Sequence, residues 1–187
     1  MAFINESLFF MVKRIFITLS FLLIFVAYGK YAKKVISKNL AKSENESVLK
    51  SIPKAEFFHF EDKKKFVIKD KTKSPLVHFW ATWCGPCEEE LPSIIKYVVK
   101  NKGKMHLYLI AVNDKPVEIK KFLRKFKIYS EVFTILTDDS DIHKNKYGTY
   151  KLPETYLFNT DHSLVKKFVG PQEWSTSYYQ KFVQFID

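Results

Sequence analysis

Cys84 and Cys87 are the only cysteines of the 187-residue chain, and they stand where a compact apolar strand hands over to a helix. The segment Pro75 to Ala81 carries Leu76-Val77-His78-Phe79-Trp80, a continuous apolar run of the kind covered on both faces of a sheet. Thr82 and Trp83 lead straight into Cys84-Gly85-Pro86-Cys87, and Leu91, Ile94, Ile95 and Val98 then recur at helical spacing, predicting a helix over 86–100. A strand that must be covered on both faces and feeds a helix demands a central sheet with helices on both sides. The remaining pattern agrees. Ala55 to Phe60 and Lys65 to Ile68 read as two strands about the charged turn Glu61 to Lys64, and Met105 to Val112 and Val132 to Leu136 as further strands. Glu118 to Lys127 reads as an amphipathic helix with Ile119, Phe122, Leu123 and Phe126 inward, and Asp141 to Tyr147 as a short one. Thr155 to Phe158 and Leu164 to Val169 suit a hairpin, and Trp174 to Ile186 a closing helix with Tyr178, Phe182 and Ile186 four apart. The expected class is α/β, a central mixed sheet flanked by helices.

Two cysteines exclude the multi-bridge framework of small secreted proteins and leave a redox pair or half a metal site. Zinc needs four ligands; there is no third cysteine, and the five histidines show no paired spacing. A thiol at a helix N-terminus faces unpaired N–H groups and the positive end of the dipole, which favour the thiolate. Thiolate is the form that attacks disulfides. Cys84 is therefore assigned as the nucleophile, and Cys87, one turn on, as the resolving thiol that expels a mixed disulfide.

The amino terminus reads as an address. Lys13 and Arg14 precede fourteen largely apolar residues, Ile15 to Tyr28, and Lys30, Lys33 and Lys34 follow. A basic start and an apolar stretch of this length resemble a secretory signal. Residues 1–34 are expected to form a signal or single membrane anchor, 35–54 a Ser-, Asn-, Lys- and Glu-bearing tether, and 55–187 the folded domain. Cleavage after Ala27-Tyr28-Gly29 is the alternative. The formal net charge of +11 raises the question of nucleic acid, but the lysines are scattered and no nucleic-acid motif accompanies them, so no nucleic-acid partner is expected.

Phe79-Trp80-Ala81-Thr82-Trp83-Cys84-Gly85-Pro86-Cys87 resembles the active-site segment of the thioredoxin superfamily. The continuation Glu88-Glu89-Glu90-Leu91-Pro92 narrows the resemblance to the membrane-anchored TlpA/ResA/CcmG type, in which an acidic residue stands three after the second cysteine, here Glu90. Tyr147 to Tyr156, with Leu152-Pro153-Glu154-Thr155, is similar to that type's cis-proline segment, and the resemblance runs over roughly residues 53–187. It implies a thioredoxin-like fold with an N-terminal β-hairpin and a strand–helix insert at about Lys115 to Leu136. It further implies a cis Leu152–Pro153 peptide facing the sulfurs, substrate contacts at Trp83, Leu152, Pro153 and Glu154, and a proton-handling role for Glu90. His78 stands where plain thioredoxins carry a buried Asp and reads as a core histidine. Lys151 replaces a Gly frequent in the cytochrome c branch.

The function implied is a monomeric exported thiol–disulfide oxidoreductase without cofactor, on the bacterial cytoplasmic membrane with its domain facing the periplasm or outside. It would reduce protein disulfides, with apocytochrome c as one substrate, and be recharged by a membrane thiol–disulfide electron donor. A soluble periplasmic form after cleavage, a disulfide donor, and a copper chaperone using Cys84, Cys87 and a histidine are the competing readings, although neither His143 nor His162 is evidently placed for the last.

Overall fold

The structure, a computed structural model, describes residues 49–125 and 132–186, with helical positions 10, 11, 13, 14, 16, 20, 24–31, 33 and 34. The chain divides into two compact units, Met1–Val48 and Leu49–Asp187. Among the described residues no helix is long and apolar enough to cross a membrane. Much of the anchor expected over 1–34, and the tether over 35–48, lies outside the described residues.

In the second unit the elements run β1 (Phe57–His59), β2 (Lys65–Phe66), β3 (Ser74–Trp80), α1 (Gly85–Lys100), β4 (Met105–Val112), α2 (Pro116–Leu123), β5 (Phe133–Asp138), α3 (Ile142–Tyr147), β6 (Glu154–Phe158), β7 (Leu164–Val169) and α4 (Ser177–Gln180), with a 3₁₀ turn at Lys181–Phe185. They build one seven-stranded sheet in the order β2-β1-β5-β4-β3-β6-β7. β3 is parallel to β4 and antiparallel to β6, and β4 is parallel to β5, so the sheet is mixed. All seven residues of β3 are buried, as its unbroken apolar run requires of a central strand.

Alternation along β3 sorts the core. Leu76 and Trp80 join Leu107, Leu109 and Ala111 of β4 in a layer with Cys84, Cys87, Leu91 and Ile94 at the start of α1. Val77 and Phe79 point the other way, into a layer with Ile110, Tyr147 and Tyr156. His78 shares the parity of Leu76 and Trp80 and so faces the side that α1 covers.

Two helices differ from expectation. α2 starts at Pro116, two residues early, because proline is well suited to the first helical turn, where no N–H bond is lost. The end expected at Lys127 falls at Leu123 as described, since residues 126–131 lie outside the description. The closing helix is broken: Glu173 accepts from Ser175 N and Oγ, Thr176 is extended, and only Ser177–Gln180 is α-helical. The inward stripe is Tyr179, Phe182 and Ile186, whereas Tyr178 is half exposed. Trp174, ahead of the helix, is fully buried among Tyr97, Phe168 and Tyr179.

Residues 49–52, part of the stretch expected to be a tether, lie along the β6–β7 turn. Leu164 N donates to Lys50 O (2.8 Å), Ile52 N donates to His162 O (3.1 Å), and Ser51 bridges Ser163.

Candidate active site

β3 delivers Cys84 to the mouth of α1. Cys84 is the N-cap, extended at φ −95° and ψ 98°, and Pro86 occupies the first turn. The Cys84 carbonyl accepts from Cys87 N (3.0 Å) and Glu88 N (3.2 Å), closing the first turn and leaving the side chain at the positive helix end. Cys84 and Cys87 form a disulfide. Cys84 retains 7% exposure and Cys87 none, so the only accessible sulfur is the first.

A bend between β3 and α1 is held from outside. Thr82 donates through N and Oγ1 to the two oxygens of Asp114 (2.6 and 2.9 Å), which also accepts from Lys115 N. Asp114 was not singled out in the sequence; an Asp following an apolar strand and one residue ahead of Lys-Pro marks a side-chain-capped turn, and that signal could have found it.

Across from Cys84 lies the loop between α3 and β6. Gly148 ends α3 at φ +69°, a left-handed cap that glycine adopts without strain. The Leu152–Pro153 peptide is cis, as the resemblance implied. An open groove of about 410 Å³ is lined by Trp83, Cys84, Pro86, Tyr150, Lys151 and Leu152, among others. Trp83 is 65% exposed. Pro153 is buried beneath the groove, its carbonyl accepting from Gly170 N (2.9 Å).

Glu154 points inward rather than into the groove. Its side chain is wholly buried, accepting from Tyr156 OH (2.9 Å) and pairing with Lys167 Nζ (3.0 Å). It braces the loop from within and does not line the groove. Lys167 extends the brace: its ammonium donates to Gly148 O (2.8 Å) and lies over the rings of Tyr150 (4.9 Å) and Tyr156 (5.2 Å). Lys167→Met should therefore cost about 2 kcal/mol in denaturant unfolding, since it strands a buried carboxylate. The value is below that of a fully buried pair because 27% of the Lys167 side chain stays exposed. Adding Glu154→Gln should recover most of the loss; equal loss in the double variant would show that the charge pair carries none of it.

Glu90 lies one turn beyond Cys87, 3% exposed. Trp174 Nε1 donates to its Oε1 (2.5 Å), while Oε2 has no partner among the described residues. Burial lifts the carboxyl from its ordinary 4.5 to about 7, against the opposite pull of the Trp174 hydrogen bond. The sequence did not reveal Trp174 as the partner of Glu90.

His78 is fully buried opposite Thr155, with Nδ1 and Thr155 Oγ1 2.9 Å apart. Its Nε2 has no partner among the described residues. Burial drives its pKa down to about 3, so the ring is neutral. His143 packs on Phe57, and His162 bonds the Asp70 carbonyl; neither lines the groove with Cys84.

A reactive pair at a strand–helix junction, faced by a cis-proline loop, agrees with a Redoxin match covering residues 48–182. The chain belongs to the Redoxin family. Within it, this member is similar to the thiol-disulfide oxidoreductases ResA. It is 30% identical over 122 residues to that of Bacillus cereus, covering 63% of this chain and 69% of the relative. To that of Bacillus anthracis it is 30% identical over 111 residues, covering 58% of this chain and 62% of the relative. It thus spans about two thirds of their lengths. A crystal structure of a thioredoxin-family thiol:disulfide interchange protein from Chlorobium tepidum superposes with a TM-score of 0.59 at 20% identity, covering 75% of this chain and 98% of that one. The fold is thioredoxin-like, and this Redoxin-family chain is a thiol–disulfide oxidoreductase.

Proposed function

We propose that the chain is an exported reductant of protein disulfides, held at a bacterial cytoplasmic membrane by its amino-terminal segment and acting through Cys84 and Cys87. The observation that carries this reading is the asymmetry of the pair: one sulfur reaches the groove, the other is sealed behind it. In the dithiol form, the Cys84 thiolate attacks one sulfur of a substrate disulfide and expels the other as thiolate. Cys87 then loses its proton and attacks Cys84 Sγ. The second substrate thiolate leaves, and two electrons have passed from the protein's dithiol to the substrate. The Cys84–Cys87 disulfide seen here is the product state of that cycle.

Glu90 is the proton acceptor for Cys87 in this reading, one turn away and titrating near neutrality. The groove lets a substrate strand lie against the backbone about Leu152, with Trp83 as its other wall. No cofactor is needed for the cycle, and the domain works as a monomer. Recharging then falls to a membrane thiol–disulfide electron donor. Apocytochrome c cysteines are a fitting substrate because the "PET"-like segment Pro153-Glu154-Thr155 resembles that of the cytochrome c maturation branch.

The reduction potential of the Cys84–Cys87 couple tests the direction. The Gly85-Pro86 dipeptide, shared with reducing thioredoxins, leads to an expected value nearer about −270 mV than about −120 mV. Equilibration with glutathione buffers and alkylation trapping measures it, and a value above about −150 mV would make the protein a disulfide donor instead.

A further inference from the structure

Trp83 divides two open grooves, one containing Cys84 and the other bounded by the start of α2. The charged side chains around the first are Lys144 and Lys151, with no carboxylate among its lining residues. Around the second they are Lys115, Lys121 and Lys125 against Asp114 and Glu118. Two of these lysines are already engaged, Lys125 with Glu88 (2.8 Å) and Lys144 with Asp141 (3.1 Å). Asp114 accepts from Thr82 through both oxygens, which fixes the carboxylate in place and leaves its charge. Among the described residues no carboxylate pairs with Lys115, Lys121 or Lys151, and all three are exposed. The reactive groove therefore carries unopposed positive charge at Lys151, whereas across Trp83 Asp114 and Glu118 offset Lys115 and Lys121.

Two large aromatic faces stand in the same place. Trp83 and Tyr150, 65% and 76% exposed, flank the mouth of the reactive groove. Tyr150 is backed by the Lys167 ammonium, which props the ring from behind. Exposed aromatic side chains beside a groove offer apolar contact to a chain laid across it, and the lysines decide which chain is welcome.

We propose that the reactive groove selects polypeptide substrates with acidic residues flanking the disulfide, Lys151 meeting the flank that lies along the Tyr150–Leu152 wall. This rests on the groove being the substrate site of a disulfide reductant. Exposed charges act over about 8 Å at physiological salt, so carboxylates within a few residues of the substrate sulfur fall inside their range. The effect is on association: opposite charge raises the rate of productive encounter, like charge lowers it, and salt erases both.

Single-turnover reduction by the full chain tests it with two synthetic disulfide peptides, alike except for Asp/Glu or Lys on both flanks, and with a small neutral disulfide alongside. At low ionic strength the acidic peptide should react about tenfold faster than the basic one, and the ratio should fall below about twofold near 0.5 M salt. The charge-reversed variant K151E should bring the ratio to one or below, which separates the effect from any intrinsic difference between the peptides. A wild-type ratio near one with normal reduction of the neutral disulfide overturns the charge selection and leaves the reductant reading standing. A ratio that K151E fails to move overturns the assignment to this groove. Failure to reduce even the neutral disulfide removes the reductant reading, and this inference falls with it.

Discussion

Cys84→Ser should reduce disulfide exchange to background, whereas Cys87→Ser should still attack substrate and then stall as a long-lived mixed disulfide. The difference follows from position alone. Both sulfurs belong to the first turn of α1, but only Cys84, at the N-cap, retains any exposure; Cys87 is packed into the core with Leu91 and Ile94. A substrate sulfur needs an in-line approach to its attacker. Only Cys84 offers one. With Ser at 84 the remaining thiol cannot be reached, and with Ser at 87 nothing is placed to expel the bound substrate. Non-reducing electrophoresis after mixing each variant with an excess of disulfide substrate would show an adduct for Cys87→Ser alone. An adduct formed through Cys87 in the Cys84→Ser variant would reverse the assignment.

Glu90→Gln should stabilise the oxidised protein at alkaline pH and leave it nearly unchanged in acid. The folded carboxyl titrates near 7 because it is buried, and the unfolded one near 4.5. Between those values the folded state holds a proton that the unfolded state has released, so stability falls as pH rises through the window. Above about pH 7 the penalty is complete, and below about 4.5 both states are protonated and it vanishes. At about 1.4 kcal/mol per unit, the loss comes to about 3 to 4 kcal/mol. Glutamine does not titrate, and its carbonyl can still accept from Trp174 Nε1. Any cost of placing an amide where Oε2 has no partner is the same at every pH. Denaturant unfolding of both proteins at pH 4 and pH 8 gives the comparison, and an equal difference at the two pH values would rule out a buried titrating Glu90. In turnover the same variant should release mixed disulfides more slowly, since the acceptor for the Cys87 proton is gone.

The central sheet was legible because its strands are apolar on both faces, and Met105 to Val112 announces both of its ends. The cysteine pair's place at a helix start was legible because an apolar strand runs straight into Cys84 and helical spacing follows it. What escaped were long-range partners. Glu90 in a run of three glutamates looks like a solvated first-turn residue, and only the fold brings Trp174, 84 positions away, onto it. Lys167 reads as one more surface lysine on an alternating strand until Glu154 and Gly148 are seen beneath it. The C-terminal stripe was misplaced by one residue for a related reason. Spacing of four fits Tyr178, Phe182 and Ile186, but the chain is re-phased by the turn at Glu173 to Thr176, which spacing within the segment cannot report.

The stitching of residues 50–52 to the β6–β7 turn also sets how far from the reactive sulfur the chain enters the domain. β6 begins beside Phe79, near the cysteine end of β3, and finishes beside Leu76, so the turn after it lies at the opposite end of the sheet. The chain thus enters the domain at the heel, and the sulfur sits at the toe, separated by about 20 Å of seven-residue strand. Residues 50–52 thus leave the Cys84 rim of the second unit clear of the point where its chain begins.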